Sequence, residues 1–389
     1  MNRRIDPTAE RALIGVRAPD EPGAEERAWM TVKAAYLEHP RAAPARRRRA
    51  LAAVPLVAAF IAAVALSPAG ATVTRIINRA FSPPHIARMT SLSLPSPGRV
   101  LVSSARGTWI VSAGGSVRRL GGWTQANWSP RGLYLAVASA GALAAVDPAG
   151  AVAWRLPAHG VSDPRWYTPS GYRVAYRSGG NLREVAGDGR SDHLVARGVA
   201  PIAPAWRPGH DFQLAYVARG GGVVVRDGDS GVVVWHSRPH PGRAVQLSWS
   251  PNGTRLLFVT SAGAWLYLPG QSPPLSLRLP VAGPLVAAAA SPDGRRLALV
   301  RGGRAPQLEL TDLTAPEHPA RTVVGIAVDQ PTWSPDSRWL LVSQPAAGSW
   351  LFVRVARRTR LFSVSGATGR FGAVTRGGAV RIDGWCCAQ

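Results

Sequence analysis

The chain has 389 residues, with 46 Lys and Arg against 22 Asp and Glu, which gives a formal net charge of +24. Lys33 is its one lysine, and an arginine excess beside abundant Ala, Gly and Pro is typical of a GC-rich bacterial genome. The arginines are scattered rather than gathered in a stripe with interleaved aromatic residues, which argues against a nucleic-acid-binding protein.

Residues 1–49 are predicted to form a cytoplasmic segment with one helix at about residues 24–38. Trp29, Val32 and Tyr36 share one face of that helix, because residues three and four apart are neighbours on a helix surface. Such a face predicts either docking of a cytoplasmic protein or contact with the membrane surface, and the sequence leaves both open.

Residues 50–71 are predicted to form a transmembrane signal-anchor helix, since about 20 apolar residues span a bilayer core. The four arginines at 46–49 place the preceding segment in the cytoplasm and the rest of the chain outside. A cleaved signal peptide is the alternative, because Ala69-Gly70-Ala71 fits a cleavage site, but the 49 residues before the apolar run favour an uncleaved anchor. Residues 72–95 are interpreted as a stalk.

A phrase of the form Trp-Ser-Pro-x-Gly, followed by a short apolar segment, returns along the remainder of the chain. The phrase and its variants begin at Trp128, Trp166, Trp206, Trp249, Ala290 and Trp333. By subtraction, the steps between these positions are 38, 40, 43, 41 and 43 residues. A period of about 40 residues with one tight turn per period is typical of a β-propeller.

Each phrase predicts a hairpin, because Pro fixes φ at the first central position of a turn and Asp, Asn or Gly fit the next positions. The apolar segment after the turn, such as Leu135-Ala136-Val137, begins the second strand. Third strands such as Leu308-Glu309-Leu310 and weaker fourth strands such as Val232-Val233-Val234-Trp235 follow. Four short strands per period form one propeller blade.

The first blade lacks a strand of its own before the turn Ser96-Pro97-Gly98. Residues 380–385, which end in Trp385, match the missing strand. The sequence therefore predicts that this strand pairs with residues 100–102 and closes the ring. With this blade counted, we expect seven blades, and six is the alternative.

The recurring phrase resembles that of the TolB-like group of propellers, whose WD40-like, PD40-type repeat is Trp-Ser-Pro-Asp-Gly followed by Leu-Ala-Phe. The resemblance covers roughly residues 95–387. It implies an all-β propeller at residues 96–389 of a membrane-anchored bacterial protein. It does not imply one activity, because this fold serves many unrelated functions.

The sequence predicts no catalytic, cofactor-binding or metal-binding residue and no cofactor, and it identifies no binding residue. His236 and His240 are four residues apart, but Pro239 excludes the regular helix on which a zincin-type pair depends. Residues 227–231 are similar to the start of a calcium loop, but they lack its closing Glu and are predicted to form a turn between third and fourth strands.

Cys386 and Cys387 are adjacent, so they do not have the spacing of a zinc site. A pair of separate, buried small residues at the end of a strand is favoured over redox chemistry, because free cysteines are often buried.

The glycosylation patterns at Asn127 and Asn252 are interpreted as coincidental. The inner strands are expected to consist of Ala, Val, Trp and Leu, with few acidic residues or histidines.

Together, these features predict a binding or scaffold module outside the cell membrane. Its expected partner is a protein, a peptide or an anionic envelope polymer, and the helix at 24–38 would relay binding to a cytoplasmic protein. The alternative function is an envelope enzyme that acts on carbohydrate or peptide in the channel. A third hypothesis is a passive structural part of an envelope complex.

The predicted topology is testable with a reporter that is active only outside the cytoplasm. Fused after Gln389, this reporter is expected to be active, because the arginines at 46–49 hold the other end inside. An N-terminal tag should remain on the membrane-bound protein, and replacing the four arginines with glutamine should lower reporter activity. Loss of the tag with release of the propeller would instead show a cleaved signal peptide.

Overall fold

The computed structural model describes residues 86–168, 170–210, 212–271, 275–281, 283–356, 359–372 and 380–387. The predicted cytoplasmic segment, the predicted transmembrane segment at 50–71 and most of the predicted stalk lie outside these residues. None of the helices within the described ranges is long and apolar enough to cross a membrane.

The described residues form 29 β-strands in seven sheets and no α-helix. Two single turns of 3₁₀-helix, at Pro345–Ala347 and Thr368–Phe371, are the helical elements of this part of the chain. In each sheet the strands run antiparallel from an inner strand to an outer one, apart from one added parallel strand. The fold is an all-β, seven-bladed propeller, and the blade count predicted from the sequence is confirmed.

The blades are numbered from the one that contains the closing strand, and their strands are given from the inner to the outer edge. Blade 1 contains β29 (Arg381–Cys386), β2 (Arg99–Ser104), β3 (Gly107–Val111) and β4 (Val117–Gly121). Blade 2 contains β5 (Gln125–Trp128), β6 (Leu135–Ser139), β7 (Ala142–Val146) and β8 (Val152–Pro157). Blade 3 contains β9 (Val161–Trp166), β10 (Arg173–Ser178), β11 (Asn181–Ala186) and β12 (His193–Ala196).

The remaining four blades follow the same order of strands. Blade 4 contains β13 (Ala205–Trp206), β14 (Gln213–Val217), β15 (Val223–Asp227) and β16 (Val233–His236). Blade 5 contains β17 (Ala244–Trp249), β18 (Leu256–Thr260), β19 (Gly263–Leu268) and β20 (Leu275–Arg278). Blade 6 contains β21 (Leu285–Ala290), β22 (Arg296–Arg301), β23 (Gln307–Asp312) and β24 (Arg321–Val324). Blade 7 contains β25 (Thr332–Trp333), β26 (Trp339–Gln344), β27 (Ser349–Arg354), β28 (Arg360–Val364) and the added β1 (Ile86–Met89).

The ring is closed by the predicted strand near the C-terminal end. β29 pairs with β2 in antiparallel register, with Trp385 opposite Val100 and Ile382 opposite Val102. Blade 1 is therefore built from two segments that are far apart in the sequence. This pairing confirms the closure that the sequence predicted.

The turn between the first and second strands depends on the serine of the repeated phrase. In blade 7 the Ser334 hydroxyl accepts the backbone N–H of Trp339 at 3.0 Å, and the same bond recurs in blades 2, 5 and 6. The last residue of the turn has a positive φ, which is 66° at Gly132. Glycine adopts that conformation without steric strain, whereas blade 7 has Ser337 there at a φ of 58°.

The repeated tryptophan connects neighbouring blades. Trp206, Trp249 and Trp333 each donate their indole N–H to a backbone carbonyl on the inner strand of the preceding blade, at 3.0, 3.1 and 2.9 Å. These rings are also buried, so each contributes apolar packing and a satisfied polar group to the same junction. The indole N–H of Trp385 instead bonds the Pro97 carbonyl in its own blade, at 3.2 Å.

The hydrophobic core lies between blades rather than within one layer. The buried apolar residues of the described chain form seven clusters, and each contains residues from two neighbouring blades. The cluster between blades 7 and 1 holds Trp350, Phe352 and Phe371, all fully buried, against Val100 and Trp385. Apolar contact is therefore continuous around the ring.

The propeller includes residues that precede the predicted boundary at residue 96. β1 pairs in parallel with β28, so it adds a fifth strand to the outer edge of blade 7. Leu92 is buried in the cluster between blades 7 and 1. No sequence pattern predicted this strand, because β1 lies outside the repeat and three of its four residues are exposed.

Removing the closing strand should open the ring. Deletion of residues 378–389 is expected to abolish the single cooperative unfolding transition. The deletion removes the strand that pairs with β2, and it removes Val380, Ile382 and Trp385 from the cluster between blades 7 and 1. Trp385→Ala should lower the free energy of unfolding by about 3–5 kcal/mol, as measured by urea denaturation.

Trp154, a half-buried tryptophan on the outer strand of blade 2, provides the control. Trp154→Ala should have a smaller effect than Trp385→Ala, because less apolar surface is lost from the core. Equal unfolding curves for the deletion variant and the full chain would contradict the closure argument.

Candidate functional site in the central channel

The inner strands surround a central channel that contains a polar cavity of about 230 Å³. The cavity lies at the side where the inner strands begin, which we call the connector face because the links between blades lie there. All seven blades contribute to its wall, with the residues Gln125, Ala126, Asp163, Pro164, Arg165, Pro201, Ile202, Ala203, Arg243, Ala244, Val245, Gln246, Leu247, Val286, Gln330, Arg381, Ile382 and Asp383.

Two aspartates and no histidine line this wall, which fits the expectation of few acidic residues or histidines, but that expectation did not include the arginines beside them. Asp163, Arg165, Arg381 and Asp383 all line the cavity. Pairing is irregular within β9 and β29, next to both aspartates. A β-bulge changes which side chains face each side of a strand, so the composition of the inner strands did not show that these residues face the channel.

Asp383 connects blade 1 to blade 2. Its side chain is nearly buried, and one oxygen lies 2.7 Å from Nη2 of Arg381. Its other oxygen accepts the Ser103 hydroxyl in β2 and, at 3.2 Å, the backbone N–H of Ala126 in β5. Burial by itself would lower the pKa of Arg381, but the carboxylates of Asp383 and Asp163 raise that pKa above its ordinary value.

Asp163 connects blade 3 to blade 2. Its carboxylate forms an ion pair with Arg177, with Nη1 to Oδ2 at 2.6 Å, and its backbone N–H donates to the side-chain oxygen of Gln125. Its φ is 53°, in the left-handed region that residues other than glycine seldom occupy. Such conformations persist where surrounding contacts fix them, and they cluster at functional sites.

Arg165 and Arg243 are the cavity arginines whose guanidinium groups have no carboxylate partner among the described residues, and Arg165 is the more buried of the two. One of its N–H groups donates to the Pro164 carbonyl at 2.8 Å. Burial lowers the pKa of Arg165, the carboxylates of Asp163 and Asp383 oppose that change, and Arg381 adds to it. A guanidinium has five N–H donors, so Arg165 retains unused capacity to bind an anion.

A second depression, of about 510 Å³, opens where the inner strands end. We call this side the turn face, because the Ser-Pro-x-Gly turns lie there. The depression is lined by blades 3 to 6, with the residues Thr168, Pro208, Gly209, Gln246, Ser248, Trp249, Pro251, Ala289, Ala290, Ser291 and Pro292. The Ser248 hydroxyl is buried and has no partner among the described residues.

The two histidines noted in the sequence do not form a metal site. His236 lies exposed on β16, and Nε2 of His240 is hydrogen-bonded to the Tyr267 hydroxyl. The His240 ring lies 4.2 Å from the ring of Trp265, and burial lowers its pKa. No group of three or more metal-ligating side chains occurs within the described ranges.

The segment at 227–231 forms the predicted turn between the third and fourth strands. Oδ1 of Asp227 accepts the backbone N–H groups of Asp229 and Ser230, at 3.1 and 2.7 Å. Hydrogen bonds from the backbone and hydroxyl of Ser230 lower the pKa of Asp227, against the effect of burial. The carboxylate is therefore used to hold the turn.

The cysteine pair differs from the expectation of two separate, buried residues. A disulfide joins Cys386, the last residue of β29, to Cys387, and both residues are half-buried. Cys387 has a φ of 60°. It packs so closely on Gly132 of blade 2 that a Cβ there would lie 2.7 Å from its sulfur.

Neither a comparison with protein-family models nor one with curated proteins finds a match for this chain. Among solved structures, a chain of the "Crystal Structure of Mitotic Checkpoint Complex" aligns with a TM-score of 0.50 and 16% sequence identity. The alignment covers 63% of this chain and 81% of that chain. At that identity, this likeness bears on the fold alone.

Asp383 is expected to contribute to stability by joining two blades. Asp383→Ala leaves the Ala126 N–H without an acceptor and Arg381 without its partner, while the Ser103 hydroxyl keeps only Thr108, at 3.1 Å. Since an unsatisfied buried group costs about 1–3 kcal/mol, the free energy of unfolding should fall by that amount in urea denaturation.

Glu317 provides the control, because its side chain is 70% exposed and, among the described residues, its one ionic neighbour is His318 at 3.6 Å. Glu317→Ala should change the free energy of unfolding by less than about 0.5 kcal/mol. An equally small change for Asp383→Ala would show that the network does not join the blades energetically.

Proposed function

We propose that the protein is a membrane-anchored binding or scaffold module whose propeller lies outside the cytoplasm and docks an acidic protein or peptide on its turn face. The membrane anchor and the topology in this proposal rest on the arginines at 46–49 and the apolar run at 50–71. Membership of the TolB-like group, in a bacterial envelope, belongs to the same proposal. The docking surface rests on the observations below.

An exposed apolar patch on the turn face carries the proposal. Leu133, Tyr134 and Tyr172 are 63%, 43% and 70% exposed and follow the turns of blades 2 and 3. These two turns adjoin, because a Cβ on Gly171 would lie 3.5 Å from Cδ of Pro130. Single exposed apolar residues are common on protein surfaces, but adjoining ones, especially tyrosines, are typical of binding sites.

On the opposite side of the turn face, the arginines at 295, 296 and 338 outnumber the exposed aspartates at 293 and 336. Arg295 in blade 6 and Arg338 in blade 7 follow their turns at the position that Leu133 has in blade 2, and both are exposed. The turn face is thus apolar and aromatic on one side and has an excess of arginine over aspartate on the other. A partner that combines acidic and apolar side chains would match both sides, and its association would be electrostatically steered.

For the enzyme alternative, the candidate catalytic groups are two aspartates of the channel. Asp163 and Asp383 do converge on the channel, as that alternative requires. Each carboxylate, however, is bonded to an arginine, and Asp383 also accepts two further hydrogen bonds. These contacts favour structural roles over proton transfer. Turnover of an envelope glycan or peptide that Asp163→Asn abolishes would support the enzyme instead.

Site-specific photocrosslinking in cells can test the docking surface. A photoreactive phenylalanine analogue at Tyr172 or Leu133 is expected to give one discrete adduct, because a partner would cover both positions. The same analogue at Arg278, an exposed residue on the outer strand of blade 5, is the control and should give none. Adducts of equal yield at all three positions, or at none, would contradict the proposal.

Charge reversal provides a second readout from the same assay. Arg295→Glu together with Arg338→Glu should reduce the adduct at Tyr172, since the acidic side of the partner would be repelled. Arg278→Glu changes the net charge on the outer surface and should leave the yield unchanged. High salt should weaken capture, because the Debye length falls to about 3 Å at 1 M.

A further inference from the structure

More arginines than aspartates line the channel cavity. Arg165, Arg243 and Arg381 line the cavity, whereas only Asp163 and Asp383 oppose them there. Arg177, which lies behind the wall, is also paired with Asp163. Both acids are therefore already paired with an arginine, and the unpaired charge inside the cavity is that of Arg165. At the mouth, Arg243 is exposed, and Asp329 lies next to the mouth residue Gln330.

The N–H groups of Arg165 are available to a ligand because the two nearby carboxylates accept their hydrogen bonds from other residues. Asp163 is bonded to Arg177, and Asp383 to Arg381, Ser103 and Ala126. The one hydrogen bond of the Arg165 guanidinium goes to the Pro164 carbonyl. A half-buried guanidinium with free N–H groups is an incomplete site for an oxyanion, because its planar fork matches a carboxylate or phosphate in two-point contact.

Amide side chains from other blades complete this environment. Gln246 and Gln330 line the same cavity, and their side chains make no hydrogen bond to any residue in the described part of the chain. Gln125 uses its oxygen to accept from Asp163, so its NH₂ group remains a free donor. Neutral donors of this kind orient an anion without adding further charge to the site.

We propose that the connector side of the channel binds a small oxyanion, a carboxylate or a phosphate group on a free solute, with Arg165 as its principal ligand. The 230 Å³ cavity is smaller than sites for drug-sized ligands, which begin at about 300 Å³, so the molecule has few other atoms. Arg243, Val286 and Gln330 are exposed at the mouth, so solutes can reach the cavity from solvent.

A metal cation fits the same cavity poorly. Coordination by Asp163 and Asp383 would require both carboxylates to leave their arginines, and the uncompensated guanidinium groups would repel the ion. The inference is also separate from the docking proposal, which concerns the turn face. Either one can fail while the other stands, because they are tested with different residues and different probes.

Isothermal titration calorimetry of the purified full chain can test the site. Inorganic phosphate and succinate serve as probes, and neutral succinamide is the matched uncharged control. At least one anion is expected to bind saturably with 1:1 stoichiometry, and succinamide should not bind. Binding of phosphate alone or of succinate alone would identify the class of group that the channel accepts.

Variants identify the residue responsible. Arg165→Gln should lower the affinity for the anion at least tenfold, which corresponds to about 1.4 kcal/mol. Arg278→Gln on the outer surface should change that affinity by less than about twofold. Gln246→Glu leaves Arg165 in place and should also abolish binding, since the new carboxylate would pair with the guanidinium. Unfolding curves for each variant establish that it is folded.

Two results would overturn the inference. One is absence of saturable binding by either anion up to about 10 mM, a concentration at which even a site weaker than 1 mM would be occupied. The other is equal affinity in the folded Arg165→Gln and unmodified proteins, which would assign the anion to the many surface arginines.

Discussion

Pairing between β29 and β2 is the contact on which the rest of the propeller depends. It supplies blade 1 with its inner strand, and it allows the cluster between blades 7 and 1 to join the other six. The same strand carries Arg381 and Asp383 into the channel and lets Asp383 bond blade 2. Closure of the ring and construction of the cavity are therefore consequences of one strand pairing.

The repeat builds the scaffold, and departures from the repeat provide its candidate binding surfaces. The tryptophan satisfies an equivalent backbone carbonyl at three blade junctions, and the serine satisfies an equivalent backbone N–H in four blades. Among the seven inner strands, only β9 and β29 carry both an arginine and an aspartate. On the turn face, Tyr172 and Leu133 lie on one side of the ring, and Arg295 and Arg338 lie on the other side. Variation at such places lets one fold serve different ligands.

The seven blades and the closing strand were predictable because the period and Trp385 report directly on local strand and turn geometry. The turn at Asp227 was predictable for the same reason. The charged channel was not, since irregular pairing in β9 and β29 changes which side chains face inward. β1 was missed because its parallel pairing with β28 has no repeat signal. The Cys386–Cys387 disulfide was missed because the sequence favoured burial of two separate thiols.

The position of β29 also has a consequence for the order of events during translation. β2 is complete early, and its inner partner is synthesised only after some 280 further residues, the distance from Ser104 to Arg381. At about 5–20 residues per second, that interval is on the order of 15–55 seconds. Throughout it, β2 presents an unpaired edge that other strands can join. A ribosome that stops before β29 would therefore release a product with an open edge, which distinguishes incomplete chains from finished ones.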